Sequence, residues 1–384
     1  MEATNIAPFL NREQEMRFLQ SWVAEEPKNI LFIYGPKSSG KTTLIYRFLQ
    51  ENLSSAEYDI KHFNLREIFL AQYQDFIRAF FEHDYSKEKG DVREKREYDL
   101  KVFKLTVEAL KGLEAKELDP FVVMKKELVK LNGKGIRPVI VIDELQALEG
   151  VYMNGQREVL RELFNFFVAM TKESHLCHVI IASSDGYFIE RIYNDSKLKK
   201  ASEFLEVEYL TKSDVYQWLN NLAQKSRITK YTLTDEQIET IWETFGGSCW
   251  EISRFLGDIQ MLAVDGSVPA DAFAKVLDRK LIQARSMYVH YAGLYKHKRQ
   301  LFRAINRVAK EKGRFREDDV TALVESGIYE VKALRDDLGE LVGQNFISYN
   351  PVTAEFAVQG RSMELGLAMY VELIEKTELG RPVQ

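Results

Sequence analysis

Eight residues near the N-terminus, residues 35–42, restrict this chain more than any other feature. They read GPKSSGKT, which fits the pattern G-x-x-x-x-G-K-[ST], and they follow a short apolar run of strand length at residues 29–34. Apolar side chains at helical spacing come next, at residues 42–51. The glycines let backbone N–H groups wrap closely around an anion, and the helix directs the positive end of its dipole at the same point. The pattern predicts a strand–loop–helix that binds phosphate; a plain glycine-rich turn is the alternative.

The residue types in this loop predict separate tasks. The Lys41 ammonium can reach the β- and γ-phosphates of a nucleotide, and the Thr42 hydroxyl can bind Mg²⁺. We therefore expect ATP with Mg²⁺ as the ligand, and Lys41 to take part in catalysis as well as binding. The residues expected to contact the nucleotide are Gly35, Pro36, Lys37, Ser38, Ser39, Gly40, Lys41, Thr42 and Thr43.

Two adjacent carboxylates, Asp143 and Glu144, end a second apolar run at residues 138–142. Carboxylates at the carboxyl end of a buried strand lie at the ligand-binding edge of an α/β sheet. We expect Asp143 to hold Mg²⁺ and Glu144 to orient or deprotonate an attacking water. The alternative is that Asp143 only caps the next helix. The spacing from the first motif leaves room for an extra strand at residues 58–63, as in the ATPases with an additional strand and a catalytic glutamate.

Polar residues also end the apolar run at residues 178–182. Ser183, Ser184 and Asp185 follow this run, and a side chain there could hydrogen-bond the γ-phosphate or the water. Ser184 is the candidate catalytic residue of this group. An N-cap for the following segment is an equally good interpretation.

Strands that alternate with helices predict an α/β fold with a mostly parallel sheet. A fifth strand is expected at residues 204–209, and helices at residues 9–19, with Asn11 as the N-cap, and at 68–81. After Thr211 helices dominate, so we predict three parts: an ATPase core at residues 1–210, a helical lid at 211–285 and a third domain at 286–384. The charged run at residues 84–99 is expected to be an exposed insertion or a solvated helix face.

The chain resembles the archaeal-type ATPases of the STAND branch of P-loop NTPases, which are related to AAA+ proteins. The resemblance rests on FLNRE at residues 9–13, GPKSSGKT, VIVIDELQAL at 139–148, IIASSDG at 180–186 and FGGSCW at 245–250. It implies that Asn11 and Arg12 contribute to the nucleotide site. Cys249 stands where the family pattern has proline, and KLKK at 197–200 replaces a Gly-Arg, so an arginine for the γ-phosphate is missing there. Arg254 is an alternative source of an arginine for the γ-phosphate. The other interpretation is that Arg254 lies on the solvated face of a helix.

The last third reads as three helices followed by a hairpin with a turn near Pro351, an order that resembles a winged helix. Its third helix carries Lys332 and Arg335 against Glu330, Asp336, Asp337 and Glu340, a net charge of −2 that suits DNA poorly. Arg299, Arg303 and Arg307 lie on one helical face, which is either a surface for phosphate or an acidic partner or simply a solvated face.

Composition excludes several classes of protein. The chain has 384 residues, a net charge of −5 and two cysteines, and its apolar runs are too short to cross a membrane. We therefore expect a cytoplasmic Mg²⁺-dependent ATPase that switches conformation with its nucleotide, with a protein partner or self-assembly and without a membrane. The alternatives are a nucleotide-gated DNA-binding regulator, which the charge disfavours, and an assembly scaffold with little ATP turnover.

Overall fold

The computed structural model describes residues 8–83, 102–153, 155–195, 198, 200–295 and 297–378. The charged run predicted to be an insertion, residues 84–99, lies outside the described residues, and so do Lys197 and Lys199.

The strands fall into one central sheet and two small ones. Their bounds are β1 Ile30–Tyr34, β2 Tyr58–Asn64, β3 Phe81–His83, β4 Phe103–Leu105, β5 Arg137–Asp143, β6 His178–Ser183, β7 Ser202–Glu206, β8 Arg314–Phe315, β9 Ile347–Asn350 and β10 Glu355–Val358. The central sheet has the order β2-β5-β6-β1-β7, and all its neighbours are parallel. This confirms the predicted α/β fold with a parallel sheet. The fifth strand ends at Glu206, three residues earlier than predicted.

The order of the sheet decides which polar residues meet. The strand between β1 and β5 is β6, whereas β2, which follows β1 in sequence, lies outside β5 at the edge. In the registers, Tyr34 pairs with Ser183, and Asp143 pairs with Ala182. Because parallel strands all point the same way, the loop after β1 and the residues after β5 and β6 lie at one edge of the sheet.

The first seven helices belong to this α/β region. They are α1 Glu13–Ala24, α2 Lys41–Asn52, α3 Tyr73–Phe80, α4 Val107–Glu114, α5 Pro120–Asn132, α6 Val159–Val168 and α7 Gly186–Asp195. Helices α1 and α2 cover one face of the sheet, and α3 to α7 supply apolar side chains to the core on the other face. Two predicted starts were wrong. Helix α1 begins at Glu13, and α3 begins at Tyr73 because Gln72 and Asp75 form a capping box there.

A helical unit, residues 210–277, follows the sheet and has its own apolar core. It contains α8 Lys212–Leu219, α9 Leu222–Ser226, α10 Asp235–Phe245 and α11 Cys249–Gln260. The capping box predicted at Thr234 and Gln237 is confirmed, and α10 ends at Gly246 as expected. The next helix, α12 Ala270–Leu294, runs without a break through residue 285.

A C-terminal unit, residues 284–378, surrounds another apolar core. After the second half of α12 come α13 Lys298–Lys312, α14 Ala322–Glu325, α15 Val331–Gly343 and α16 Arg361–Glu378. The predicted hairpin is present as β9 and β10, and β8, which the sequence pattern did not predict, completes an antiparallel sheet of order β8-β10-β9.

The C-terminal unit packs against the start of α7. A Cβ atom added to Gly186 would lie 2.0 Å from the backbone oxygen of Tyr349, so the two backbones nearly touch. The Tyr187 ring lies 5.3 Å from the Tyr349 ring, centroid to centroid, and packs on Gly339 of α15. The β9–β10 hairpin therefore sits directly beside the segment that follows β6.

Candidate functional site

The loop after β1 curls around the Lys41 side chain. The Lys41 Nζ donates to the backbone oxygens of Gly35 and Pro36, each at 2.9 Å. Gly35 is required at its position, because its φ is +143° and a Cβ would lie 2.3 Å from the backbone oxygen of Val207. Gly40, with a φ of +97°, turns the chain into α2. The buried hydroxyl of Ser39 has no hydrogen-bond partner among the described residues, so the loop presents an unused donor.

Lys41 is buried, and burial lowers the pKa of its ammonium to about 8, although Glu144 and Asp143 act in the opposite direction. A buried ammonium needs anionic partners or good acceptors. Two backbone carbonyls and two nearby carboxylates supply them here. The same position suits an ammonium that exchanges loop carbonyls for phosphate oxygens.

Thr42, in the first turn of α2, and Asp143, the last residue of β5, are in contact. The Thr42 hydroxyl donates to Oδ2 of Asp143 at 2.8 Å. Asp143 is 3% exposed, and burial raises the pKa of its carboxyl, which the Thr42 hydrogen bond and Arg66 partly oppose. A hydroxyl and a carboxylate are the hard oxygen donors that Mg²⁺ prefers, so this pair fits the ion. The alternative role for Asp143 was wrong, since the turn at Leu145–Leu148 has no side-chain cap.

Glu144 is held by donors on both carboxylate oxygens. Its Oε1 accepts from the Arg66 guanidinium and, at 3.3 Å, from the Ser184 hydroxyl. Its Oε2 accepts from the side-chain amide of Gln146. The backbone at Glu144 is left-handed, with φ of +61°, which turns the chain sharply at the strand end. The predicted catalytic residues Glu144 and Ser184 are therefore in contact.

Two residues of this cluster were missed by sequence reasoning, Arg66 and Gln146. Arg66 lies in the 3-10 turn Leu65–Glu67 after the edge strand β2, and Asn64 at the end of that strand is in register with Asp143. Only the strand order brings Arg66 to Glu144. Gln146 was visible in the sequence, two residues after Glu144, but nothing in the pattern indicated that its side chain turns back.

The polar residues at the end of β6 divide between the two predicted roles, contact with the site and capping of the next helix. Ser184 contacts Glu144, whereas Ser183 donates to Oε1 of Gln146 at 3.2 Å. Asp185 accepts from the backbone N–H of Phe188 at 2.9 Å, the contact of an N-cap at the start of α7. The N-cap interpretation therefore holds for Asp185, and the serines face the Glu144 cluster.

Arg12 and Asn11, the two residues that the resemblance implies for the nucleotide site, contact different parts of the protein. Arg12 is buried beside the loop, and its Nη2 donates to the backbone oxygens of Ser39 at 2.7 Å and Glu208 at 2.6 Å. Asn11 instead donates to Oδ2 of Asp214 in α8 at 2.8 Å and forms no helix cap, so its predicted N-cap role was wrong. Burial would raise the pKa of the Asp214 carboxyl, but hydrogen bonds from Thr211 and Asn11 outweigh it and lower this pKa.

The remaining candidates lie at the margin of the site. Lys37 and Thr43 are exposed, and the backbone oxygen of Lys37 accepts from the Tyr209 hydroxyl at 2.9 Å. Arg254 is exposed and lies over the ring of Trp250, 5.5 Å from its centroid. Across the described ranges there is no group of three or more His, Cys, Asp or Glu side chains that could hold a metal ion. Within the same ranges, no helix has the length and apolar character needed to cross a membrane.

The chain is similar to a family of ATPase domains and to several ATP-binding proteins. The model of a family described as an ATPase domain predominantly from Archaea matches residues 9–255. Two ATP-binding proteins of Methanocaldococcus jannaschii are 38% and 39% identical over 226 and 215 residues, which are 59% and 54% of this chain. The chain spans 66% and 58% of the length of these two relatives. A third, from the same organism, is 32% identical over 70% of this chain and 78% of its own length.

Solved structures share the fold at low sequence identity. A Walker-type ATPase of Pyrococcus abyssi has a TM-score of 0.64 and 17% identity, covering 94% of this chain and 96% of the other. The ORC2 protein of Aeropyrum pernix, in its ADPNP–ADP complexes, has a TM-score of 0.55 and 13% identity, covering 99% and 98% of the two chains. At these identities the likeness concerns the fold alone.

Proposed function

The chain belongs to the family of ATPase domains found predominantly in Archaea, and on this premise we propose that it binds Mg-ATP and hydrolyses it to ADP and phosphate. One observation carries the proposal. Lys41, the Thr42–Asp143 pair and Glu144 converge at one edge of the central sheet, although Thr42, at the start of α2, and Asp143, at the end of β5, are 101 residues apart in sequence. This is the set of groups that phosphoryl transfer requires: a cation, a metal-binding pair and an acceptor for a proton.

Each residue has a task in this mechanism. The loop N–H groups and the Lys41 ammonium bind the β- and γ-phosphates and offset their charge. Thr42 and Asp143 would hold Mg²⁺, which when bound neutralises charge that develops on the phosphate oxygens. Glu144 orients a water and accepts its proton. Ser184 and Arg66 keep Oε1 of the Glu144 carboxylate in place through their hydrogen bonds.

Steady-state ATP hydrolysis tests this proposal. Wild-type protein is compared with Glu144→Gln, which keeps the shape of the side chain and removes its basicity. Glu117→Gln is the matched control, because Glu117 is exposed and lies in the turn after α4. We expect turnover to fall by about 100-fold or more in Glu144→Gln only, the usual size of a general-base contribution. Equal turnover in wild type and Glu144→Gln would refute the role of Glu144.

We further infer that ATP controls the position of the C-terminal unit, as in STAND-type switches. A connector, residues 206–210, supports this inference because it contacts every part. Its Glu208 backbone oxygen accepts from Arg12, and its Val207 N–H donates to the backbone oxygen of Tyr34 at 2.8 Å. Its Tyr209 hydroxyl donates to the backbone oxygen of Lys37 in the loop. Its Leu210 N–H donates to Gly247 of the helical unit at 3.1 Å.

The side chains of the connector extend toward the C-terminal unit. Oε1 of Glu206 accepts from the Asn350 amide at 3.0 Å, and the Arg314 guanidinium pairs with Glu208. Tyr34, the last residue of β1, reaches Asn350 with its hydroxyl at 3.3 Å. A change in the loop on nucleotide binding therefore has a short path of hydrogen bonds to the β9–β10 hairpin.

We propose that the chain has the three predicted parts, residues 1–210, 211–285 and 286–384, and that the last is a winged helix. Separate apolar cores and the antiparallel sheet β8-β10-β9 support this division. We propose a protein partner or a second copy as the target, and not DNA. Helix α15 has little positive charge, and its Gly339 is covered by Tyr187.

Hydrogen exchange tests the switch separately from hydrolysis. Glu144→Gln protein is compared with and without Mg-ATP, so that the nucleotide remains intact. We expect the amides of residues 206–210 and 347–350 to change their exchange rates on binding, whereas those of α10 stay unchanged. Binding of ATP with no change in these two segments would contradict the switch and leave the ATPase proposal intact.

A further inference from the structure

A chain of hydrogen bonds links the end of β6 to Glu144 through Gln146. The Ser183 hydroxyl donates to Oε1 of Gln146 at 3.2 Å, and Nε2 of Gln146 donates to Oε2 of Glu144. Ser183 is 0% exposed, Glu144 is buried and Gln146 is half-buried. Water therefore competes poorly for these bonds, and each has more influence than it would have at the surface.

The direction of this chain is determined by the Glu144 carboxylate. An ionised carboxylate only accepts hydrogen bonds, so the NH₂ end of the Gln146 amide faces Oε2 and its carbonyl end faces Ser183. The Ser183 hydroxyl donates to this carbonyl, and Oγ of Ser183 accepts from the N–H of Asp185 at 3.0 Å. Without the Ser183 hydroxyl, the Gln146 amide keeps its donor toward the carboxylate but loses the bond that holds its other end in place.

The two oxygens of Glu144 are not equivalent. A carboxylate oxygen can accept about two hydrogen bonds. Oε1 already accepts from Arg66 and Ser184, whereas Oε2 accepts only from Gln146 within the part of the chain that the structure describes. Oε2 is thus the oxygen with room for another donor.

We propose that Gln146 is a positioning residue that holds Glu144 so that Oε2 receives the proton of the attacking water. This inference rests on the proposed ATPase function. In the step, the water oxygen forms a bond to the γ-phosphorus while the bond from that phosphorus to the β–γ bridging oxygen breaks. The electron pair of the broken bond stays with ADP. The water proton passes to Oε2 of Glu144 and then to solvent.

The variant Gln146→Met tests the proposal, because the methionine side chain has a similar length and no N–H group to donate. We expect kcat to fall by about 10- to 100-fold, since misplacing a catalytic group by about 1 Å costs on this order. KM and the ATP affinity measured by calorimetry should stay within about twofold, because Gln146 is not part of the phosphate loop. Gln217→Met is the matched control, since Gln217 is exposed on α8. An unchanged kcat in Gln146→Met would overturn the proposal.

A double-mutant cycle with Ser183→Ala tests whether Ser183 acts on Glu144 through Gln146. Alone, Ser183→Ala should lower kcat, because the Gln146 amide loses the bond that orients it. In the Gln146→Met background the same change should have no further effect, since Ser183 acts through Gln146. Losses that multiply independently would contradict this relay. Ser183→Ala also provides the test if Gln146→Met does not fold.

A readout without turnover separates this inference from the function on which it rests. In nucleotide-free protein, the ¹⁵N–¹H resonances of the Gln146 amide should move when Glu144 is changed to Ala or Ser183 to Ala. If Glu144→Gln abolishes hydrolysis but these resonances stay fixed, the positioning role fails alone. If Glu144→Gln hydrolyses ATP at the wild-type rate, the proposed base and this inference fail together.

Discussion

Adding a single methyl group at Gly186 should displace the C-terminal unit from the ATPase core. Gly186 begins α7 and does not have a positive φ, so its backbone accepts alanine without strain. The obstacle is external, because the new Cβ would lie 2.0 Å from the Tyr349 oxygen and 3.2 Å from the ring of Pro351. The variant Gly186→Ala therefore tests the contact between α7 and the β9–β10 hairpin and little else.

The size of the effect follows from the distances. A Cβ does not approach another atom closer than 3.0 Å, so the hairpin must retreat by at least about 1 Å. Such a shift lengthens the Asn350–Glu206 bond from 3.0 Å and the Tyr34–Asn350 bond from 3.3 Å beyond hydrogen-bond range. Overpacking of a close contact and the loss of a bond to a carboxylate each cost about 1–3 kcal/mol. We expect the free energy that holds the C-terminal unit in place to fall by about 2–4 kcal/mol.

Urea unfolding and hydrogen exchange measure this change. Gly186→Ala should lower the midpoint of unfolding and speed the exchange of amides in residues 186–190 and 347–350. Gly343→Ala is the control, because Gly343 lies at the end of α15 with open space around it, and its stability should stay equal or rise slightly. If Gly186→Ala matched Gly343→Ala in both measurements, the described contact between α7 and the hairpin would be wrong.

Three further predictions concern stability, measured by urea unfolding. Gly247→Ala should lose about 1–3 kcal/mol, because its Cβ would lie 1.9 Å from the Leu210 oxygen; equal stability would contradict this contact. Trp218→Phe should lose about 1–3 kcal/mol, because Trp218 Nε1 donates to the buried Ser226 hydroxyl at 2.6 Å. A loss below about 0.5 kcal/mol, the smallest usual contribution of a hydrogen bond, would contradict this bond. Burial lowers the pKa of His62 to about 4, so the unfolded chain binds a proton between pH 6.5 and 4 that the folded chain does not. Stability should therefore fall by up to about 3 kcal/mol as the pH drops through that window, and His62→Phe should lose less; identical pH profiles would refute the assignment.

The parts of the site that the sequence predicted are those in which local pattern and chemistry coincide. The loop at residues 35–42 needs its glycines for backbone geometry, so its residue types alone predict its conformation. Asp143 was predicted correctly as a neighbour of the loop, because ligands of a parallel sheet bind at the carboxyl ends of its strands and Asp143 stands at such an end. Its contact with Thr42 follows from this rule.

The parts that were missed depend on long-range order. The strand between β1 and β5 is β6, and no spacing in the sequence distinguishes this from an order with β2 in that place. Arg66 reaches Glu144 only because β2 lies beside β5. Asn11 had the residue type of an N-cap, but a hydrogen bond to Asp214 in a distant helix won over the local one.

Calorimetric titration of the purified protein with Mg-ATP decides whether the loop and the Asp143 edge form a nucleotide site at all. We predict saturable binding that Lys41→Ala weakens by about 10- to 100-fold, since a bond between an ammonium and a phosphate contributes about 1.5–3 kcal/mol. The absence of binding heat at millimolar Mg-ATP, or equal affinity in wild type and Lys41→Ala, would contradict the account.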